Sequence, residues 1–370
     1  MIKLKFLPLL MIGFLSMLNS CKNSTTETDN SEEVSKTVFP SDVIPFFNHF
    51  RLVLGDGANA GDATGAEHEN FFYTENDGEK DWVVYKTPNA GNTHGTSNNT
   101  RTELAQAKKW YPTTKKAKLT ATLKVMNVSA TGDARVAASY SVVVGQIHSA
   151  DGHENEPLKI YYKKFPGHEK GSVFWNYEIN TAGDDNAGRW DYSLPIWGYD
   201  FAVVGAEPNT YPEEPEDGIA LGEEFSYDIE VKDGVMTLKF MSEGHETKTF
   251  TKNLIESEFT KKTDMPEQVQ KLFLPIGQDG VERATAYTDE GLFFKQGCYN
   301  QTNGKDPKDN MVWCNGAETH GGNIQKQYET GNYAEVWFKT SEVFISDDAF
   351  SNEEYFTKND QLQQRQSEKK

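Results

Sequence analysis

Basic residues are in short supply. Lysine and arginine total 37 against 56 aspartates and glutamates, a net charge of −19 over 370 residues. Holding a phosphate backbone requires a strong cationic field, so nucleic acid is excluded as a partner. An anionic ligand is not excluded, because net charge governs solubility more than the chemistry of one site. Such a ligand needs a locally basic patch inside an acidic shell. Long apolar runs are also lacking. The one candidate, Phe6–Leu18 behind Lys3 and Lys5, is too short to span a bilayer and suits the apolar region of a cleaved export signal. Helical periodicity is scarce, and neither heptads nor an internal repeat can be found.

Cysteine is rare, with three in the chain. The first ends the run Leu18-Asn19-Ser20-Cys21, which resembles a lipobox, in which the cysteine is lipidated and becomes the first mature residue. The expectation is a lipoprotein signal over 1–20, anchored at the cell envelope, outer membrane or cell surface. Cys298 and Cys314 remain, an even number in a compartment that permits disulfides, and they are expected to pair. Residues 22–36 carry one apolar side chain, Val34, and 21–38 read as a flexible tether. The end of the chain, 351–370, is similarly polar. The span between, 39–350, is expected to be one domain.

What fills that span is short alternating or β-branched runs separated by Gly, Asn, Asp and Pro clusters. Expected strands are Asp81–Lys86, Lys118–Met126, Arg135–His148, Leu158–Lys163, Ser172–Asn180, Glu224–Lys232, Val235–Met241, Thr247–Thr251, Ala286–Gln301 and Tyr333–Ile345. Short helices are expected near Pro40–Phe47 and Pro266–Leu272. This density of strands points to an all-β fold, a two-sheet β-sandwich or jelly roll. Ala182–Gly222 reads as a long aromatic and acidic loop, of a length that is usually functional. Asp56–Gly65 and Gln301–Trp313 are further loops expected to rim a site. Asp56, Asn59 and Asp62 lack calcium-loop spacing and read as turn residues.

Three strand-like segments place polar groups at i and i+2, which a pleated strand sends to one face. They are Arg101-Thr102-Glu103-Leu104, Gln146-Ile147-His148, and Lys295-Gln296-Gly297-Cys298-Tyr299-Asn300-Gln301. Singly, each is ordinary: an Arg-x-Glu pair is most often a surface ion pair worth little. Together they assemble a cation, an amide, an imidazole and a phenol, with neither a nucleophile nor a metal cluster.

These three blocks, in this order, resemble the signature motifs of polysaccharide lyase family 7, the alginate lyases. The flanks are similar too: Pro40–Pro45, Lys86–Asn89 and Ala334–Phe338. The resemblance covers nearly all of 39–345 and implies a jelly roll with a concave substrate groove. It departs at Ala105, where the family often carries a second arginine, so one subsite has lost a cation.

The resemblance implies β-elimination of an acidic polysaccharide. Removing the C5 proton of a uronate requires that its carboxylate be neutralised and the enolate-like charge stabilised. Arg101 and Gln146 suit that role. Tyr299 is implied as the acid toward O4 and as the base for mannuronate, with His148 as the base for guluronate. A tyrosine ordinarily titrates near pH 10, so its use as a base calls for nearby cations such as Arg101 and Lys295. Glu103 orients Arg101, and Glu103, Lys295 and Gln301 are expected to line the substrate. No cofactor or metal enters the scheme, a monomer is expected, and membrane contact is confined to the lipid anchor. Within the family, Ile147 is associated with tolerance of guluronate, and the long loops suggest exolytic action. The alternatives are an endolytic lyase, or a non-catalytic carbohydrate-binding module using Trp190 and Trp197 as platforms. A retaining glycoside hydrolase would need paired carboxylates. The matching spacing at Glu27, Asp29 and Glu32 falls in the tether.

Overall fold

The computed structural model describes residues 38–93, 97–150, 156–179, 190–256, 287 and 290–346. The export signal, Cys21, nearly all of the tether, the helix expected at Pro266–Leu272 and the tail 351–370 lie outside the described residues. In chain order the strands are β1 (Phe50–Val53), β2 (Asn59–Asp62), β3 (Phe72–Asn76), β4 (Asp81–Pro88), β5 (Arg101–Gln106), β6 (Ala117–Asn127), β7 (Ser141–Ser149) and β8 (Leu158–Lys163). They continue with β9 (Lys170–Ile179), β10 (Trp190–Trp197), β11 (Ile219–Ala220), β12 (Glu224–Lys232), β13 (Val235–Met241), β14 (Lys248–Asn253), β15 (Leu292–Asn300) and β16 (Tyr333–Ile345). Among the described residues, two short α-helices, α1 (Pro40–Val43) and α2 (Ile324–Glu329), and two 3-10 turns, Phe47–His49 and His320–Gly322, complete the regular structure. No helix among the described residues is long and apolar enough to cross a membrane.

The strands form two antiparallel sheets stacked as a jelly-roll sandwich. One has the order β10-β9-β8-β7-β15-β5-β1-β2, with β11 beside β9; the other runs β14-β13-β12-β6-β16-β4-β3. Alternation explains the second sheet directly. In β12 the inward residues Phe225, Tyr227, Ile229 and Val231 are buried while Ser226, Asp228 and Glu230 face outward. Each such apolar side chain contributes about 1.5–3 kcal/mol by leaving water. The central strands of the first sheet behave differently: β8 and most of β7 and β15 are buried on both faces. Loops carrying Phe201 and Trp313 pack over Tyr161 and Phe174 on this sheet.

The sheets are keyed together by polar and steric contacts as well as by oil. The Tyr227 hydroxyl crosses to the Val144 carbonyl (3.3 Å), and Gly145 leaves room for its ring, since a Cβ there would lie 3.0 Å from it. Thr102 Oγ1 donates to the Lys86 carbonyl at 2.7 Å, and Ser341 Oγ to Gln296 Oε1 at 2.6 Å. These bonds tie β5 and β15, which carry the site, to β4 and β16 behind them.

Several expectations need correcting. Strand β7 starts at Ser141 rather than Arg135, because Asp133 organises a turn and Tyr140 adopts positive φ (60°). The Tyr140 hydroxyl holds that turn on the Gly132 carbonyl at 2.6 Å. The supposed loop Ala182–Gly222 contains β10, whose Pro195 disguises it. As an edge strand with an irregularity between Pro195 and Trp197, it tolerates a residue without an N–H. The short strands β1, β2 and β3 escape notice because too few residues alternate. Asp56, Asn59 and Asp62 do cap turns, each accepting the backbone N–H two residues on.

The disulfide is also corrected: Cys298 and Cys314 are free, buried thiols. The alternation that turns Tyr299 outward turns Cys298 inward, into the core between the sheets opposite Thr102. Cys314 sits instead on the following loop, near Lys305 and Asp309.

Gly297 has φ +146°, and a Cβ there would meet the Thr102 carbonyl at 2.5 Å. Gly297→Ala is therefore expected to cost more than about 1 kcal/mol. The check is a lowered urea midpoint; an unchanged midpoint would remove the constraint.

Candidate active site

Strands β7, β15 and β5 lie side by side, and their registers bring the three motifs onto one outer face. Tyr299 pairs with Arg101, Gly297 with Glu103, and Lys295 with both Ala105 and Gln146. His148 follows two residues after Gln146 on β7, opposite Phe293, and its ring packs on that ring at 5.1 Å.

Glu103 is the hub. It is 2% exposed. One carboxylate oxygen accepts from Gln146 Nε2. The other accepts from Arg101 Nη1 at 3.3 Å and lies 3.8 Å from Lys295 Nζ. The Arg101 guanidinium lies over the Tyr299 ring, 3.8 Å from its centre, a cation–π contact of about 0.5–2 kcal/mol. Burial opposes the charge on Arg101, but Tyr299, Glu103 and Glu156 outweigh it and raise its pKa. Arg101 is thus a fixed cation.

Burial pushes Lys295 down to about 7, with Arg101 and Arg51 adding to the shift and Glu103 and Glu156 opposing it. Burial also drives His148 well below its ordinary value, helped by Lys295, Arg101 and Lys159 and resisted by the Ser149 carbonyl. His148 is therefore neutral at neutral pH and able to accept a proton. Its Nδ1 meets the Ser149 carbonyl and its Nε2 stands 3.3 Å from Glu156 Oε1.

The expected residues are thus brought together, with one exception. Gln301 lies beyond the end of β15, 2% exposed, and its amide turns back to the Tyr299 carbonyl at 3.3 Å. Its amide supports the backbone of Tyr299 rather than joining the Glu103 cluster.

The structure adds residues that no motif signalled. Ser97 Oγ accepts from Arg101 Nη2 at 2.9 Å and lies 3.1 Å from the Tyr299 hydroxyl. Arg51, on β1, pairs with Ala105, so a guanidinium from the neighbouring strand stands beside the position where the motif lacks one. Glu156 and Lys159 flank His148. A serine before Arg101, or a charge in a strand too short to read, carries no spacing signal.

The alginate lyase family model matches residues 48–344. The chain belongs to this family. The crystal structure of the exolytic PL7 alginate lyase AlyA5 from Zobellia galactanivorans is 60% identical, with a TM-score of 0.81, covering 84% of this chain and 98% of that one. An alginate lyase from Klebsiella pneumoniae is 31% identical over 197 residues, which is 52% of this chain and 50% of the relative. The match thus spans about half the length of that curated relative. The crystal structure of the alginate lyase from Klebsiella pneumoniae shares the fold at 22% identity, with a TM-score of 0.55, over 81% of this chain and 96% of that one.

Within this family member, Glu103→Gln is expected to leave Arg101 and Lys295 without their common counter-charge. Breaking a buried pair in this way costs about 3–5 kcal/mol. A variant whose unfolding midpoint matches the parent would show that Glu103 is not the hub.

Proposed function

We propose that this protein is an exported, lipid-anchored alginate lyase that cleaves its acidic polysaccharide by β-elimination on the outer face of the nine-stranded sheet. One observation carries the reading: three adjacent strands bring Arg101, Gln146, His148 and Tyr299 to one face, with Arg101 and Gln146 joined through Glu103 and Tyr299 beneath Arg101. The domain boundaries follow the sequence: a signal over 1–20, a tether from Cys21 to Val38, the lyase domain over 39–350 and a polar tail. The protein then acts as a monomer at the cell envelope.

The chemistry follows from the groups present. Arg101 and Gln146 pair with the uronate carboxylate, so that charge developing at C5 delocalises into a neutralised group. For guluronate, neutral His148 takes the C5 proton; for mannuronate, Tyr299 takes it as the phenolate and carries that same proton on to O4. The electron pair forms the C4–C5 double bond as the C4–O4 bond breaks, and Tyr299 supplies the proton to O4. Arg51 replaces the cation that Ala105 lacks, giving with Arg101 and Lys295 a basic patch within an acidic protein. Exolytic release of small products is favoured by the 60% identical relative, which is described as exolytic.

The reading is tested by mixing the protein with alginate and following the ultraviolet absorbance of the conjugated double bond. A carbohydrate-binding module would produce none. Tyr299→Phe is expected to lower kcat by at least about a thousandfold with little change in binding. Rates within a few-fold of the parent would remove Tyr299 from the chemistry. An early ladder of medium oligomers would instead indicate endolytic cutting.

Lys295 sets a pH dependence. Its amine loses the proton as pH rises through about 7, and an anionic substrate favours the charged form. KM is therefore expected to rise above pH 7, and Lys295→Met to flatten that rise. A KM that stays level in the parent from pH 6 to 9 would refute this.

A further inference from the structure

The elimination scheme leaves unused a row of buried charges beside His148. Glu156 is 8% exposed, Lys159 6% and Glu178 1%. Glu156 Oε1 lies 3.3 Å from His148 Nε2, and its Oε2 lies 2.9 Å from Lys159 Nζ. Lys159 Nζ also donates to Glu178 Oε1 at 2.6 Å. Glu178 closes the row, accepting the Glu156 backbone N–H on Oε2 at 2.7 Å and donating its own N–H to the Glu156 carbonyl at 3.1 Å. On the other side of the imidazole, Ser149 presents its carbonyl to Nδ1, while its hydroxyl is held by Glu290.

An imidazole with an acceptor at each nitrogen is satisfied in full only as the imidazolium, which carries two N–H groups. That is the species present once His148 has removed the C5 proton. The two acceptors thus match the state formed during the reaction rather than the resting one, the kind of match that accelerates a chemical step. The groups facing the ring from the other strands, Lys295 of β15, Arg101 of β5 and Lys159 of β8, all oppose a positive charge there. Glu156 is the carboxylate placed within reach of the ring to counter them.

We propose that Glu156 is a positioning residue for His148, stabilising the imidazolium formed on abstraction of the C5 proton, and that Lys159 and Glu178 fix its carboxylate so that it cannot swing toward the anionic substrate. This rests on the lyase reading above. In the step, the C5–H bond breaks and an N–H bond forms on the imidazole. The electron pair stays with the sugar, and the proton later returns to solvent.

The experiment compares the parent, E156Q, E156D, H148N and the double variant E156Q/H148N on guluronate-rich and mannuronate-rich blocks, with circular dichroism melts to establish folding. E156Q is expected to lose about tenfold or more in kcat on the block type most sensitive to H148N, with KM within about twofold. E156D, which keeps the charge on a shorter stem, should recover part of that loss and serves as the probe should E156Q not fold. Adding E156Q to H148N should change the residual rate by less than about twofold, because both act through one imidazole. Losses that multiply in the double variant, or E156Q and E156D both turning over like the parent, would overturn the proposal. A folded parent that generates no unsaturated product on either block fails at an earlier and separate point, sinking the lyase reading itself.

Discussion

A single buried carboxylate holds the candidate site together. Glu103 gathers Arg101 from its own strand, Gln146 from β7 and Lys295 from β15. Bringing these charges out of water is costly unless each finds a partner, and the registers of three neighbouring strands supply one. With Glu103 in place, Arg101 lies flat over Tyr299 and the phenol is fixed. Without it, two cations would repel each other across one face of the sheet.

The site also resolves an apparent conflict of charge. The protein carries −19 overall, yet its proposed ligand is a polyanion. Arg101, Lys295 and Arg51 form a local basic patch beside Glu103 and Glu156, and their field acts at short range through protein rather than through solvent. Burial, with these neighbouring cations adding to it, draws Lys295 down to about 7 and keeps His148 neutral. Burial and a shared cationic surrounding together set the protonation states that the proposed elimination requires.

Behind the outer face, the second sheet acts as a rigid backing. The bonds Thr102–Lys86, Ser341–Gln296 and Tyr227–Val144 pin the site strands from the inner side. Ile147, Cys298 and Phe294 fill the space between these anchors. The outward positions of the same strands are thus free to carry polar groups. Gly297 lets β15 lie close against β5 where a side chain would force them apart.

The local pattern of residues was enough to read most strands of the sandwich. Leu158–Lys163, Glu224–Lys232, Val235–Met241 and Tyr333–Ile345 coincide with observed bounds, because alternation is a short-range property. The spacing of Arg101 with Glu103, and of Gln146 with His148, likewise specified shared faces. What no local pattern held was the pairing between distant segments. Only the folded sheet sets Arg51 opposite Ala105, bonds the Gln301 amide to the Tyr299 carbonyl, separates Cys298 from Cys314 and lays Glu156 against His148. Such neighbours are decided by strand register across long stretches of chain, and hydrogen bonds between strands are indifferent to the side chains they bring together.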